Sequence, residues 1–171
     1  MRELDLFSRL AAISGDGLGE APALVGSLPL DLALDSSDID IVVYATDLKS
    51  FGSVLKIEFG DLEYFRSSRG IVLGIPTLMT EFAFSGETYE IFSQATLVPR
   101  QNAVIHLLVE ERLLNLGGSE FRTQIMNERE LGAITEIASG NVLGLADPYR
   151  ELLALEDFSD NELRIRFADK F

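Results

Sequence analysis

Aspartate is poorly suited to β-strands, yet this chain places two aspartates on what reads as a single strand. Residues 37–44 run Ser-Asp-Ile-Asp-Ile-Val-Val-Tyr. Side chains alternate between the faces of a strand, so Asp38 and Asp40 share one face while Ile39 and Ile41 point into a core. Two carboxylates so placed repel each other unless one is protonated or a cation lies between them. An all-oxygen pair of this kind suits Mg²⁺ or Mn²⁺. Upstream, the short apolar run Ala23-Leu24-Val25 ends in Gly26-Ser27, with ten residues between Ser27 and Asp38.

The rest of the composition narrows the chemistry. The chain has no cysteine and one histidine, His106, so thiolate and histidine-rich metal sites are excluded and any metal must be held mainly by carboxylates. A net charge of −14 argues against a broad phosphate-binding surface and makes long nucleic acid an unfavourable partner. No apolar stretch approaches the ~20 residues of a membrane span, so no membrane partner is expected and a cytoplasmic location is the default. At 171 residues, the chain is expected to form a single domain, 1–171. Within it, 1–98 should be an α/β core and 99–171 a mainly helical extension packed on it. The oligomeric state is not legible.

The Gly26-Ser27 pair, followed after ten residues by Asp38-Ile39-Asp40-Ile41, resembles the signature of polymerase-beta-type nucleotidyltransferases. That resemblance implies an α+β fold: a small mixed or antiparallel sheet with flanking helices and a helical C-terminal part. It also implies a third carboxylate on a neighbouring strand. Glu90, in Tyr89-Glu90-Ile91-Phe92, fits best, and Glu81 is the other candidate. Asp38, Asp40 and Glu90 are then the expected catalytic and metal-holding residues, with Mg²⁺ or Mn²⁺ as cofactor and a nucleoside triphosphate as substrate. Gly26 and Ser27 are expected to approach the phosphates, with Arg66, Arg69 and Arg100 as candidates to neutralise the departing pyrophosphate. More closely, Ile75-Pro76 through Glu90-Ile91-Phe92-Ser93-Gln94, then Gln101-Asn102-Ala103 and Asp147-Pro148-Tyr149, resemble an uncharacterised bacterial branch known only as a domain of unknown function.

One departure matters. Such enzymes usually carry a short helix with a basic residue after the Gly-Ser pair, and here no Lys or Arg lies between Gly26 and Asp40. Two functions therefore stand. The first is transfer of a nucleoside monophosphate from a triphosphate to a hydroxyl of a small molecule or protein. The second is a non-catalytic nucleotide-binding or interaction module on the same fold.

Hydrophobic periodicity supplies the remaining elements. It predicts a helix over 2–13, a glycine-rich connector over 14–22 and a helix from Thr46 or Asp47 toward Phe59. It predicts a strand over 62–66, a turn over Ser67–Gly70, and a hairpin whose strands 77–84 and 88–92 flank Ser85-Gly86-Glu87. Residues 71–75 are left open. A helix is predicted over 101–116, stopped at Gly117-Gly118, with Val104, Ile105, Leu108, Val109 and Leu113 inward. Further helices follow, with Phe121, Ile125, Leu131, Ile134 and Ile137 expected in the core and Asp147-Pro148 opening the helix to Leu155. His106 and Glu110, four apart, are expected to form a local pair, with a nucleotide or acceptor contact as the alternative role of His106.

Overall fold

The computed structural model describes residues 3–13 and 21–171, and the side chains from residue 6 onward within the first of these. The glycines of the predicted 14–22 connector lie outside the described residues. The elements are α1 (Glu3–Ile13), β1 (Ala23–Val25), β2 (Ile39–Tyr44), α2 (Leu48–Phe59), β3 (Glu63–Val72), β4 (Ile75–Phe84), β5 (Glu87–Gln94), α3 (Asn102–Glu130), α4 (Thr135–Leu143), α5 (Pro148–Ala154) and α6 (Asp160–Arg166). This is the expected α+β class. The five strands form one mixed sheet in the order β1-β2-β5-β4-β3, with β2 and β5 parallel and the other neighbours antiparallel.

The chain gathers into two compact units, one of Met1–Val25 and Ser37–Val104, the other of Gly26–Ser36 and Ile105–Phe171. In the first, one face of the sheet is apolar. Ile41, Val43, Leu78, Phe82, Tyr89 and Ile91 pack there with Phe51, Leu55 and Phe59 of α2 and with Leu6 and Leu10 of α1. Asp47 opens α2, its Oδ1 accepting from the backbone N–H groups of Lys49 and Ser50, which satisfies two otherwise orphan donors. Phe82 is fully buried, its ring stacked 5.2 Å from Phe59 and 5.7 Å from Tyr89. Phe82→Ala is expected to cost about 3 kcal/mol or more, read as a lower midpoint in urea unfolding.

Strand β3 corrects the turn predicted at Ser67–Gly70. Those residues lie inside a continuous β3, paired with Thr80, Met79, Leu78 and Thr77. As an edge strand, β3 is exposed along most of its length, so polar residues cost it little and imitate a turn in the sequence. The true turn is Leu73-Gly74, both with positive φ (49° and 84°), the backbone a two-residue hairpin of the I′ type demands. Ser85-Gly86, at 55° and 92°, closes β4 onto β5 in the same way.

In the second unit, Leu30 and Leu32 from the segment before β2 join a core made by Val109, Leu113, Phe121 and Ile125 of α3 and residues of α4, α5 and α6. Arg122 and Arg129 of α3 donate to the carbonyls of Leu30 (2.6 Å) and Leu32 (3.3 Å), tying that segment to the helices. Gly118, at φ 65° and ψ −155°, kinks α3 where the sequence predicts a stop, and the chain resumes the helix beyond it. Phe121 and Ile125 are buried as expected, but Leu108, Leu131 and Ile134 are exposed. The last two flank the Gly132 turn (φ 97°) that separates α3 from α4, which lifts them off the periodic face.

A buried polar cluster lies among the helices. His106 does not pair with Glu110 in the way helical spacing suggests. Its Nε2 donates to the carbonyl of Tyr149 at 2.8 Å, while Nδ1 lies 3.5 Å from Glu136 Oε1. Glu110 instead accepts from Ser139 Oγ at 2.8 Å. Burial disfavours a charged imidazole, but the hydrogen bonds to Glu136 and to the Tyr149 carbonyl outweigh it and hold the His106 pKa above its ordinary value. Burial and the nearby Glu136 push Glu110 up to about 8. The cluster explains His106 without a ligand.

Candidate active site

The strand register assembles the acids. Asp40 of β2 lies directly opposite Glu90 of β5, Glu90 opposite Glu81 of β4, and Glu81 opposite Arg66 of β3. Residues opposite one another in a sheet point to the same side. These four side chains therefore form one row across four strands, on the face opposite the α2 core. With adjacent strands about 4.8 Å apart, the row spans roughly 14 Å.

Asp40 and Glu90 are half-buried and Arg66 is exposed. Asp38, just before the first residue of β2, is exposed and close enough to act electrostatically on both Glu90 and Arg66. The Glu90 pKa is held above the ordinary carboxylate value, first by burial and then by the charges of Glu81 and Asp38, with Arg66 opposing. Arg66 is held further protonated by its hydrogen bond to Glu81 and by the charges of Glu81, Glu90 and Asp38. Two carboxylates, Glu81 and Asp38, thus act on Glu90, with the Arg66 guanidinium as counter-charge.

The structure does not bring every candidate to this row. Arg69 is opposite Leu78, three positions along β3 from Arg66. Strand alternation puts it on the other face of the sheet, away from the acids. Gly26 follows Val25, which pairs with Asp40, and its φ of 74° is a conformation that glycine adopts without steric cost. Gly26 and Ser27 fall in the second unit. The Ser27 side chain is buried, and its carbonyl accepts from the N–H groups of Leu30 and Leu32. Arg100 ends a short 3₁₀ turn, Val98–Arg100, before α3. Where the resemblance suggested a short helix with a basic residue, the structure has the 3₁₀ turn Leu28–Leu30, with no cation in it. From the sequence, Glu81 is only the alternative to Glu90 as the third carboxylate. Its pairing with Arg66 depends on the position of the β3–β4 turn.

Among the described residues, no three Asp, Glu, His or Cys side chains are gathered into a group that could hold a metal ion by themselves. The row offers a pair of carboxylates with a third nearby. That donor set fits Mg²⁺, which is commonly bound by one or two carboxylates together with substrate phosphates rather than by an all-protein cage.

A mixed sheet with flanking helices is also the fold of several solved structures that this chain resembles. The chain is similar to the RNA terminal uridylyl transferase Cid1, with a TM-score of 0.54 and 16% identity over 86% of this chain and 44% of that one. A cytoplasmic RNA terminal U-transferase matches with 0.53 and 16% over 88% and 44%. The polymerase core of TRAMP, an RNA surveillance complex, matches with 0.51 and 17% over 97% and 55%. The chain therefore spans about half the length of these structures. The particular family is shown by its own model: residues 4–155 match, and the chain belongs to the family described as a domain of unknown function, DUF4269. No curated protein matches the chain. Among the described residues, no helix is long and apolar enough to cross a membrane.

Proposed function

We propose that the protein is a metal-dependent nucleotidyltransferase, moving a nucleoside monophosphate from a nucleoside triphosphate onto a hydroxyl of a small molecule or protein. The observation that carries this reading is the direct pairing of Asp40 with Glu90 on adjacent parallel strands, with Asp38 acting on the same point. Carboxylates are not gathered on one sheet face without cost, and a divalent cation removes that cost. Proteins of similar fold are described as uridylyl transferases and poly(U) polymerases, with structures bound to a UTP analogue or to magnesium with GTP.

Asp38, Asp40 and Glu90 would hold Mg²⁺ or Mn²⁺. A bound divalent ion supplies charge neutralisation at the phosphates and lowers the pKa of the acceptor hydroxyl. In the reaction the acceptor oxygen bonds to the α-phosphorus, the bond from that phosphorus to the pyrophosphate oxygen breaks, and the hydroxyl proton is released. Arg66, on the acid-row face, is proposed to neutralise the departing pyrophosphate. Arg69 takes no part, since it lies on the other face. The net charge of −14 favours a small or proteinaceous acceptor over a polynucleotide.

The test is incubation with labelled triphosphates, Mg²⁺ or Mn²⁺ and a panel of hydroxyl-bearing acceptors. Metal-dependent pyrophosphate release with label on an acceptor supports transfer. The second reading, a nucleotide-binding module without turnover, is favoured by the lack of a preformed three-ligand group among the described residues. Calorimetry showing tight nucleotide binding, with no pyrophosphate released across the panel, would decide for it.

A further inference from the structure

The acid row contains one more carboxylate than the proposed reaction uses. Glu81 sits in register between Glu90 and Arg66, and its Oε2 accepts a hydrogen bond from Arg66 Nη2 at 2.5 Å. The side chain of Arg66 is 75% exposed on an edge strand, where a long, flexible chain would otherwise sample solvent. Its head is fixed by Glu81.

We propose that Glu81 is a positioning residue: it holds the Arg66 guanidinium over the row, where the β- and γ-phosphates of a triphosphate would lie, and takes no divalent ion itself. The inference rests on the nucleotidyltransferase reading and names the group that makes Arg66 usable within it. The chemistry is specific to arginine. A guanidinium carries five N–H donors in a planar fork, so one spent on Glu81 leaves others for phosphate oxygens. Asp38 and Glu90 also attract Arg66, yet Glu81 is the carboxylate that contacts it. The role also explains why a surplus acid is tolerated in a row that must accept a polyanion: its charge is matched before the substrate arrives.

Calorimetric titration in Mg²⁺ with non-hydrolysable triphosphate analogues and the corresponding monophosphates tests this, alongside Mn²⁺ binding alone read by electron paramagnetic resonance. Glu81→Gln should weaken triphosphate binding about fivefold, the order of an exposed charge pair, while leaving monophosphate and Mn²⁺ binding unchanged. In an Arg66→Gln background the same substitution should have no further effect.

Tighter triphosphate binding in Glu81→Gln would overturn the proposal, because a carboxylate acting only through space repels the phosphates. Weaker Mn²⁺ binding would overturn it by making Glu81 a ligand, and unchanged triphosphate binding would overturn it outright. Should the unaltered protein bind no nucleotide, the nucleotidyltransferase reading itself fails and this inference with it. Glu81→Gln is nearly isosteric, and Arg66→Gln alters an exposed side chain, so thermal melts should match the unaltered protein.

Discussion

Replacing Asp40 with asparagine should reduce metal-dependent nucleotidyl transfer by about 10²–10³-fold, while leaving the fold intact. Asp40→Asn preserves the size and planarity of the side chain and its place opposite Glu90, so sheet register and the α2 core are undisturbed. What it removes is one of two opposed carboxylates. A neutral amide oxygen is a far weaker partner for a hard divalent cation, and losing one electrostatic stabiliser of the transition state typically costs about 10²–10³ in rate. Burial and the remaining acids keep Glu90 reluctant to ionise, so it is poorly placed to compensate. The measurement is pyrophosphate release with the best acceptor found, alongside a thermal melt. Unchanged transfer by a folded Asp40→Asn protein would refute the assignment of this row as the catalytic centre.

The second large effect is on stability and comes from the helices. Glu110 is buried, and its folded pKa is pushed up to about 8 from the ordinary glutamate value of 4.5. The native state therefore binds a proton that the unfolded chain has released between these values, and stability falls as pH rises through that window. Below pH 4.5 both states are protonated, and above 8 both are ionised. The accumulated loss is on the order of 5 kcal/mol.

His106 acts in the same sense. Its raised pKa means that the stability from its bonds to Glu136 and Tyr149 is present at low pH and lost as pH climbs through the folded value. Glu136, with its pKa lowered mainly by the His106 hydrogen bond against the effect of burial, loses its contribution as pH falls below the ordinary glutamate range. The Arg129 guanidinium near them opposes the rise at Glu110. Urea unfolding from pH 4 to 9 should therefore show stability declining toward alkaline pH. Glu110→Gln, which can still accept from Ser139, should flatten that decline and be markedly more stable than the unaltered protein at pH 8. A Glu110→Gln protein with the same alkaline slope would show that folding does not raise the Glu110 pKa.

Local features of this fold are legible in the sequence and non-local ones are not. The place of Asp40 on its strand is legible because alternation is written in adjacent residues, but Asp38 lies just ahead of β2 rather than on it. Glu90 is preferred to Glu81 only through the resemblance, since both are flanked by strand-forming residues. The row itself is not legible. Placing Glu81 beside Arg66 requires the register of β3 on β4, which follows from a turn at Leu73-Gly74 that the Ser-Ser-Arg-Gly composition disguised. The face of Arg69 depends on the same register. His106 illustrates the limit from the helical side. Four-residue spacing put Glu110 next to it, but the partner that contacts its ring comes from α4, thirty residues further on. Leu131 and Ile134 continued an apolar pattern past the end of a helix, where a glycine turn removed the reason for it.

The eleven residues Gly26–Ser36 belong with the helices, although the sheet strands on either side of them do not. No single cut can therefore release the sheet as a free-standing piece. A chain stopped at Val104 would keep Leu30 and Leu32 but lose every helix that shelters them, leaving an oily loop immediately ahead of Asp38. Efforts to express a minimal catalytic fragment should retain α3 to α6, and a shortened version that precipitates would say nothing against the chemistry of the acids.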